Sequence, residues 1–179
     1  MVEARNKFLI VGVGNVLQGD DGFGVELAHR LMARTDIPDN IKLMETGIGG
    51  MTLIQELMLG YDGLLILDAY KNGGVPGRLA LLEPILPDLS ALTAQELRDY
   101  FADTHYATPM RALHFVDHVA DLPKIINILG CEPEDIDDMK LGLSDAVTAA
   151  IPLAEKMTLD WIGQRQLSAL NARNNTSAN

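Results

Sequence analysis

Gly12-Val13-Gly14-Asn15-Val16-Leu17-Gln18-Gly19-Asp20-Asp21-Gly22-Phe23-Gly24 sets two adjacent carboxylates among glycines, directly behind the apolar run Phe8-Leu9-Ile10-Val11. A short continuous apolar run of that kind fills a buried parallel strand. Downstream, Val25, Leu27, Ala28, Leu31 and Met32 recur at helical spacing, so the stretch reads strand, glycine loop, helix. Gly12 and Gly14 permit a tight backbone path that side chains would block. Asp20 or Asp21 falls where a helix N-cap belongs. Capping alone is one reading of the two acids. In the other, one caps while its neighbour, kept ionised by the helix dipole, points into a crevice and suits a cation.

Strand, Gly-x-Gly and helix also open a dinucleotide-binding unit, but the match is incomplete. The third glycine or alanine of that fingerprint would fall at position 17, which is Leu17. Glu45 stands where a ribose-binding acid is expected. Two aspartates at the helix N-terminus, however, would repel a pyrophosphate at the point where it must bind. No nucleotide is expected.

The chain has 179 residues, 47% of them hydrophobic, and no Pro/Gly/Ser-rich linker. One domain over 1–165, with a disordered tail over 166–179, is the economical division. A net charge of −11 and a pI near 4.6 oppose nucleic acid and anionic membrane as partners. The start of the chain leads straight into a strand with no signal-type apolar region, and no stretch approaches the ~20 apolar residues of a membrane helix. Those features predict a cytoplasmic protein. Cys131 is the single cysteine, which excludes an intrachain disulfide and reads as a small buried hydrophobe.

Further strands are expected at 41–45, 64–67, 78–83 and 125–129, and helices at 51–59, 93–101, 109–121 and 144–162. Thr93 and Glu96 form a capping-box pair, and Pro152 should kink or restart the last helix. The run Leu64-Leu65-Ile66-Leu67 has no polar residue and belongs at the centre of a sheet covered on both faces. A short turn before 78–83 allows an antiparallel neighbour. The predicted fold is a three-layer α/β sandwich, a mostly parallel twisted sheet of five strands with helices on both faces. Its loops at 14–24, 46–50 and 68–77 follow the carboxyl ends of three strands and meet in one crevice, where Asp21 and Asp68 face each other.

Two close acids require a shared proton or a cation between them. Of the four histidines, His29 falls on the outer face of the first helix. His114 and His118 share a face with Asp117 and Asp121, opposite the stripe Leu113, Val116 and Ala120, and read as solvated. His105 lies on a loop entering a helix and can complete a carboxylate, carboxylate, histidine metal site with Asp21 and Asp68. No Gly-x-Ser-x-Gly, His-Glu-x-x-His or Walker sequence occurs.

Together with Glu45-Thr46-Gly47-Ile48-Gly49-Gly50, Leu64-Leu65-Ile66-Leu67-Asp68-Ala69, Gly130-Cys131-Glu132-Pro133 and Gly142-Leu143-Ser144, the opening stretch resembles the hydrogenase maturation endopeptidases over most of the chain. That resemblance implies an endopeptidase that removes a C-terminal extension from the large-subunit precursor of a [NiFe] hydrogenase after nickel insertion. Nickel, supplied by the precursor, would be the recognition handle. Carried across, the family's nickel-binding trio falls on Asp21, Asp68 and His105, with roles in metal binding and catalysis. The loop carrying Thr46, Gly47, Gly49 and Gly50 would approach the substrate peptide. Either a metal-activated water or an aspartic-type mechanism fits the acids. A non-catalytic nickel-binding assembly chaperone would use the same three ligands, and a cleavage assay separates the two.

Overall fold

Strand β1 (Phe8–Val13) is buried along its whole length, and its pleat divides its side chains between two cores. Phe8 and Ile10 join Leu65 and Leu67 in one apolar cluster, whereas Leu9, Val11 and Val13 join Leu64 and Ile66 in the other. The computed structural model of the chain describes residues 6–47, 50–86, 88–89, 92–93, 95–97, 99 and 108–176. Its remaining strands are β2 (Ile41–Gly47), β3 (Gly63–Ala69), β4 (Leu79–Leu82) and β5 (Ile125–Cys131). They form one five-stranded sheet in the order β2-β1-β3-β5-β4. Every pairing is parallel except that of β4 with β5, so β3 is the central strand, as its unbroken apolar run requires.

Helices cover both faces. Helix α1 (Phe23–Met32) and helix α4 (Asp145–Thr176) contribute Leu27, Leu31, Val147, Ile151 and Trp161 to the first cluster. Helices α2 (Gly50–Leu57) and α3 (Pro109–Val119) contribute Leu53, Leu57, Leu113 and Val116 to the second. The Trp161 indole is buried with its polar end satisfied, donating to Asn127 Oδ1 at 2.9 Å, and it meets the Phe8 ring edge-on at 6.0 Å. Helix α3 starts as the sequence predicts, with Pro109 in its first turn and the Thr108 hydroxyl accepting from the Arg111 N–H. The expected capping box also forms, the Thr93 N–H donating to Glu96 Oε2 at 2.8 Å and the Glu96 N–H to Thr93 Oγ1 at 3.3 Å.

Helix α4 runs through Pro152 without a restart. Pro152 and Thr148, four residues earlier, both lie on the exposed face, where water can take the carbonyl that the proline leaves unpaired. The helix also continues to Thr176, beyond the end that periodicity predicts at 162. The segment Gln164-Arg165-Gln166-Leu167-Ser168-Ala169-Leu170 is made mostly of good helix formers. It is tied down as well: the Gln166 amide donates to Asn40 Oδ1 at 2.7 Å, and the Arg165 guanidinium stacks over Trp161. Among the described residues no helix is long and apolar enough to cross a membrane.

The chain leaves β1 for β2 on one side and returns to β3 on the other. The carboxyl ends of β1 and β3 therefore flank the switch point of the sheet, where open α/β folds bind ligands.

Candidate functional site

The loop after β1 reaches that point because backbone packs on backbone. A Cβ on Gly24 would lie 2.0 Å from the Leu67 carbonyl oxygen and 2.4 Å from that of Val13, so glycine lets α1 start directly against the ends of β1 and β3. Gly14 has φ +133°, and a Cβ there would lie 1.8 Å from the Asp21 carbonyl oxygen. A Cβ on Gly12 would lie 2.2 Å from the Gly24 carbonyl oxygen, so the tight path expected at Gly12 and Gly14 is the one observed.

Between them a 3₁₀ turn, Gly19–Gly22, carries both acids, and neither caps α1; Gly22 occupies the N-cap with no side-chain cap bond. That corrects the capping assignment. The two carboxylates part company instead. Asp21 accepts the Asn15 N–H on Oδ2 at 2.7 Å. Asp20 is 2% exposed and accepts from the Glu134 N–H at 2.8 Å, the Ser144 N–H at 2.6 Å and the Ser144 hydroxyl at 2.9 Å.

Asp68 ends the buried run of β3 and is half-buried. Its carboxyl is pushed up to about 7, first by desolvation and then by the charge of Asp21, against a hydrogen bond from the Ala69 backbone that favours the ionised form. Asp21 and Asp68 thus feel each other across the switch point, as the topology predicted. No ion pair reaches either of them among the described residues. Two acids that repel each other in this way call for a shared proton or a cation between them.

The second glycine loop is joined to the first, since the Gly14 N–H donates to the Gly47 carbonyl at 3.2 Å. Thr46 and Gly47 lie at the carboxyl end of β2 and Gly50 at the start of α2. Gly49 lies outside the described residues, and so does His105. Among the described residues no three His, Cys, Asp or Glu side chains are grouped to hold a metal ion. What is described of the predicted trio is its two acids.

The other histidines divide differently from their predicted faces. His29 and His118 are exposed, as expected, His29 standing 3.6 Å from Glu45. His114, placed on a solvated face by periodicity, is 4% exposed. It is corrected to a buried residue: with His118 it lines a cavity whose other wall includes Leu86, Leu89, Leu92 and Leu97, described residues that follow β4. Cys131 is buried as expected, and its thiol is pushed up to about 12 by burial and by the charges of Asp20 and Glu132. It is no nucleophile.

Sequence reasoning gave no role to Glu132, although it sits in a quoted motif. Its carboxylate, 7% exposed, accepts from the Asn72 and Gly73 N–H groups at 2.9–3.1 Å. It thereby holds the loop that follows Asp68. The Gly-Cys-Glu-Pro and Gly-Leu-Ser segments were the available signals, and their functions are to hold the two acid-bearing loops.

The model of a family described as hydrogenase maturation protease matches residues 25–161. The chain is 27% identical over 165 residues to the hydrogenase 2 maturation protease of Escherichia coli, covering 92% of this chain and 95% of that protein. It is 29% identical to the hydrogenase expression/formation protein HupD of Bradyrhizobium diazoefficiens, covering 87% and 80% respectively. Among solved structures it is similar to the hydrogenase maturating endopeptidase HybD from E. coli, with a TM-score of 0.71 and 26% identity over 89% of this chain and 93% of the other. A hydrogenase 2 maturation peptidase from a thaumarchaeote gives a TM-score of 0.63 and 29% identity over 88% and 99%.

Proposed function

This chain belongs to the hydrogenase maturation protease family, a family of peptidases, and from that premise we propose that it removes the C-terminal extension of a [NiFe] hydrogenase large-subunit precursor once nickel has been inserted. The observation that carries the proposal is the pairing of Asp21 with Asp68 at the switch point, with the Asp68 carboxyl at about 7. Two acids that repel each other in a partly desolvated crevice accept a cation more readily than either would alone. Nickel already held by the precursor supplies that cation, and Asp21, Asp68 and His105 are the residues that read it. A nickel-free precursor leaves the pair to share a proton.

The same acids serve hydrolysis. A carboxylate that titrates near neutrality is poised to take a proton from the attacking water and return it to the leaving amide nitrogen. Glycine at 47 and 50 lets an extended peptide lie close to the backbone beside the pair. With a net charge of −11, the partner is a protein rather than nucleic acid or membrane, and cleavage takes place in the cytoplasm.

The test is incubation with nickel-loaded and nickel-free precursor, each followed by intact mass. Loss of a C-terminal peptide from the loaded form alone is the expected result. Equal cleavage of both forms refutes nickel recognition, and cleavage of neither leaves the assembly chaperone as the better account.

A further inference from the structure

Asp20 is the most deeply buried carboxylate described, and it meets no cation among the described residues. The three hydrogen bonds it accepts come from partners 114 and 124 positions further along the chain, Glu134 and Ser144. A buried charge is costly unless such donors replace its water, so the contact is specific. Backbone bonds run beside it: the Gly19 N–H donates to the Lys140 carbonyl at 2.7 Å, the Lys140 N–H to that of Leu17 at 3.0 Å, and the Asp20 N–H to that of Asp135 at 3.3 Å. The Ser144 hydroxyl also accepts from the Val147 N–H at the start of α4.

Asp20 and Asp21 occupy one short turn, so the turn cannot rotate at one without moving the other. On the crevice side the Asn15 N–H fixes Asp21, and the Gly14 backbone is already packed against the Asp21 carbonyl. On the buried side the Asp20 carboxylate and the neighbouring backbone bonds hold the turn to the 134–144 connection.

We propose that Asp20 is a positioning residue: by anchoring the Gly19–Gly22 turn to Glu134 and Ser144, it holds Asp21 at the separation from Asp68 that the reaction uses. The proposal rests on the processing reaction argued above. Asp20 touches neither substrate nor metal in this account. Asparagine at 20 presents one acceptor where the aspartate presents two, and its amide opposes one of the two N–H donors. Ser144→Ala removes one bond to Asp20, together with the acceptor of the Val147 N–H, and leaves both backbone donors to Asp20 in place.

The experiment compares the full-length wild type with Asp20→Asn, Ser144→Ala and Asp21→Ala, using nickel-loaded precursor for kcat and KM. Backbone hydrogen exchange by mass spectrometry is measured on the same proteins without substrate. A misplacement on the order of 1 Å costs about 100-fold in rate. Asp20→Asn should therefore lose roughly 10–100-fold in kcat at a KM within about threefold of wild type, and Ser144→Ala should fall between the two. Exchange should rise in peptides spanning 14–22 and 134–144 and stay unchanged in β3. Should Asp20→Asn fail to fold, Ser144→Ala carries the same comparison. A folded Asp20→Asn with wild-type kcat, or a rise in exchange spread evenly over the chain, overturns the proposal. If the wild type itself cleaves nothing, the processing function fails and the positioning role falls with it; cleavage lost in Asp21→Ala but kept in Asp20→Asn removes the positioning role alone.

Discussion

Replacing Asp68 by asparagine keeps the size and the acceptor oxygen of the side chain while removing a charge that the fold disfavours. The carboxyl stands at about 7 in the folded protein against 3.8 for the free group, a rise of about 3 units. At about 1.4 kcal/mol per unit the ceiling is about 4 kcal/mol. Partial exposure of Asp68 to water reduces the effect to about 1–2 kcal/mol. The sign follows from proton binding. Between about pH 4 and pH 7 the native state keeps a proton on Asp68 that the unfolded chain has released, so this group's contribution to stability falls as pH rises through that window. Above 7 the loss is complete. Asp68→Asn should therefore be more stable than wild type at pH 8, with the advantage shrinking towards pH 5, when both are unfolded in urea without metal. Taking the difference between variant and wild type cancels the titration of the remaining acids. Asp21→Asn should remove only the repulsive part, leaving the larger contribution from burial. The same Asp68→Asn protein should not process precursor. An Asp68→Asn advantage that is absent, or constant from pH 5 to pH 8, would refute both the desolvated position of Asp68 and its coupling to Asp21.

Leu67→Ala, which opens a cavity in the central strand at a fully buried position, should cost on the order of 2–5 kcal/mol in urea unfolding; a cost below about 1 kcal/mol would show that β3 is not the packed centre of the sheet. Among the histidines, His105→Ala should abolish processing and His118→Ala should keep most of it. His114→Ala should lose about 1–3 kcal/mol of stability while its folded fraction still processes, and circular dichroism beside the mass assay separates the two losses. Activity retained in His105→Ala and lost in His118→Ala would move the third ligand onto α3.

The sheet was legible because each strand that matters advertises its burial. Runs such as 8–11 and 64–67 contain no polar residue, which only a strand covered on both faces tolerates, and the turn before 78–83 is too short for a parallel crossover. Once five strands and their connections are placed, the convergence of Asp21 and Asp68 follows from topology, without any knowledge of side-chain contacts. Local pattern failed where a second layer intervened. The stripe Leu113, Val116 and Ala120 implied that His114 faced water, yet α3 ends at Val119, and Leu86, Leu89, Leu92 and Leu97 wall the cavity that His114 lines. Helical periodicity reports which face is apolar, and says nothing of a loop that covers the other.

Asp20 and Asp21 mark the deeper limit. In sequence they are the same residue twice, between glycines, and either could cap, ligate or anchor. What separates them is the set of donors each one meets, and those donors lie far away in the chain. The Ser144 hydroxyl and the Glu134 and Ser144 N–H groups take Asp20 out of water, while Asp21 is left with one local N–H and the repulsion of Asp68. A backbone N–H carries no sequence signature, because every residue except proline has one. The identity of the anchored acid therefore could not be read before the fold was known. The same reasoning explains why Gly-Leu-Ser, more than a hundred residues downstream, belongs to the opening motif: Ser144 is the wall against which the turn bearing Asp21 is set.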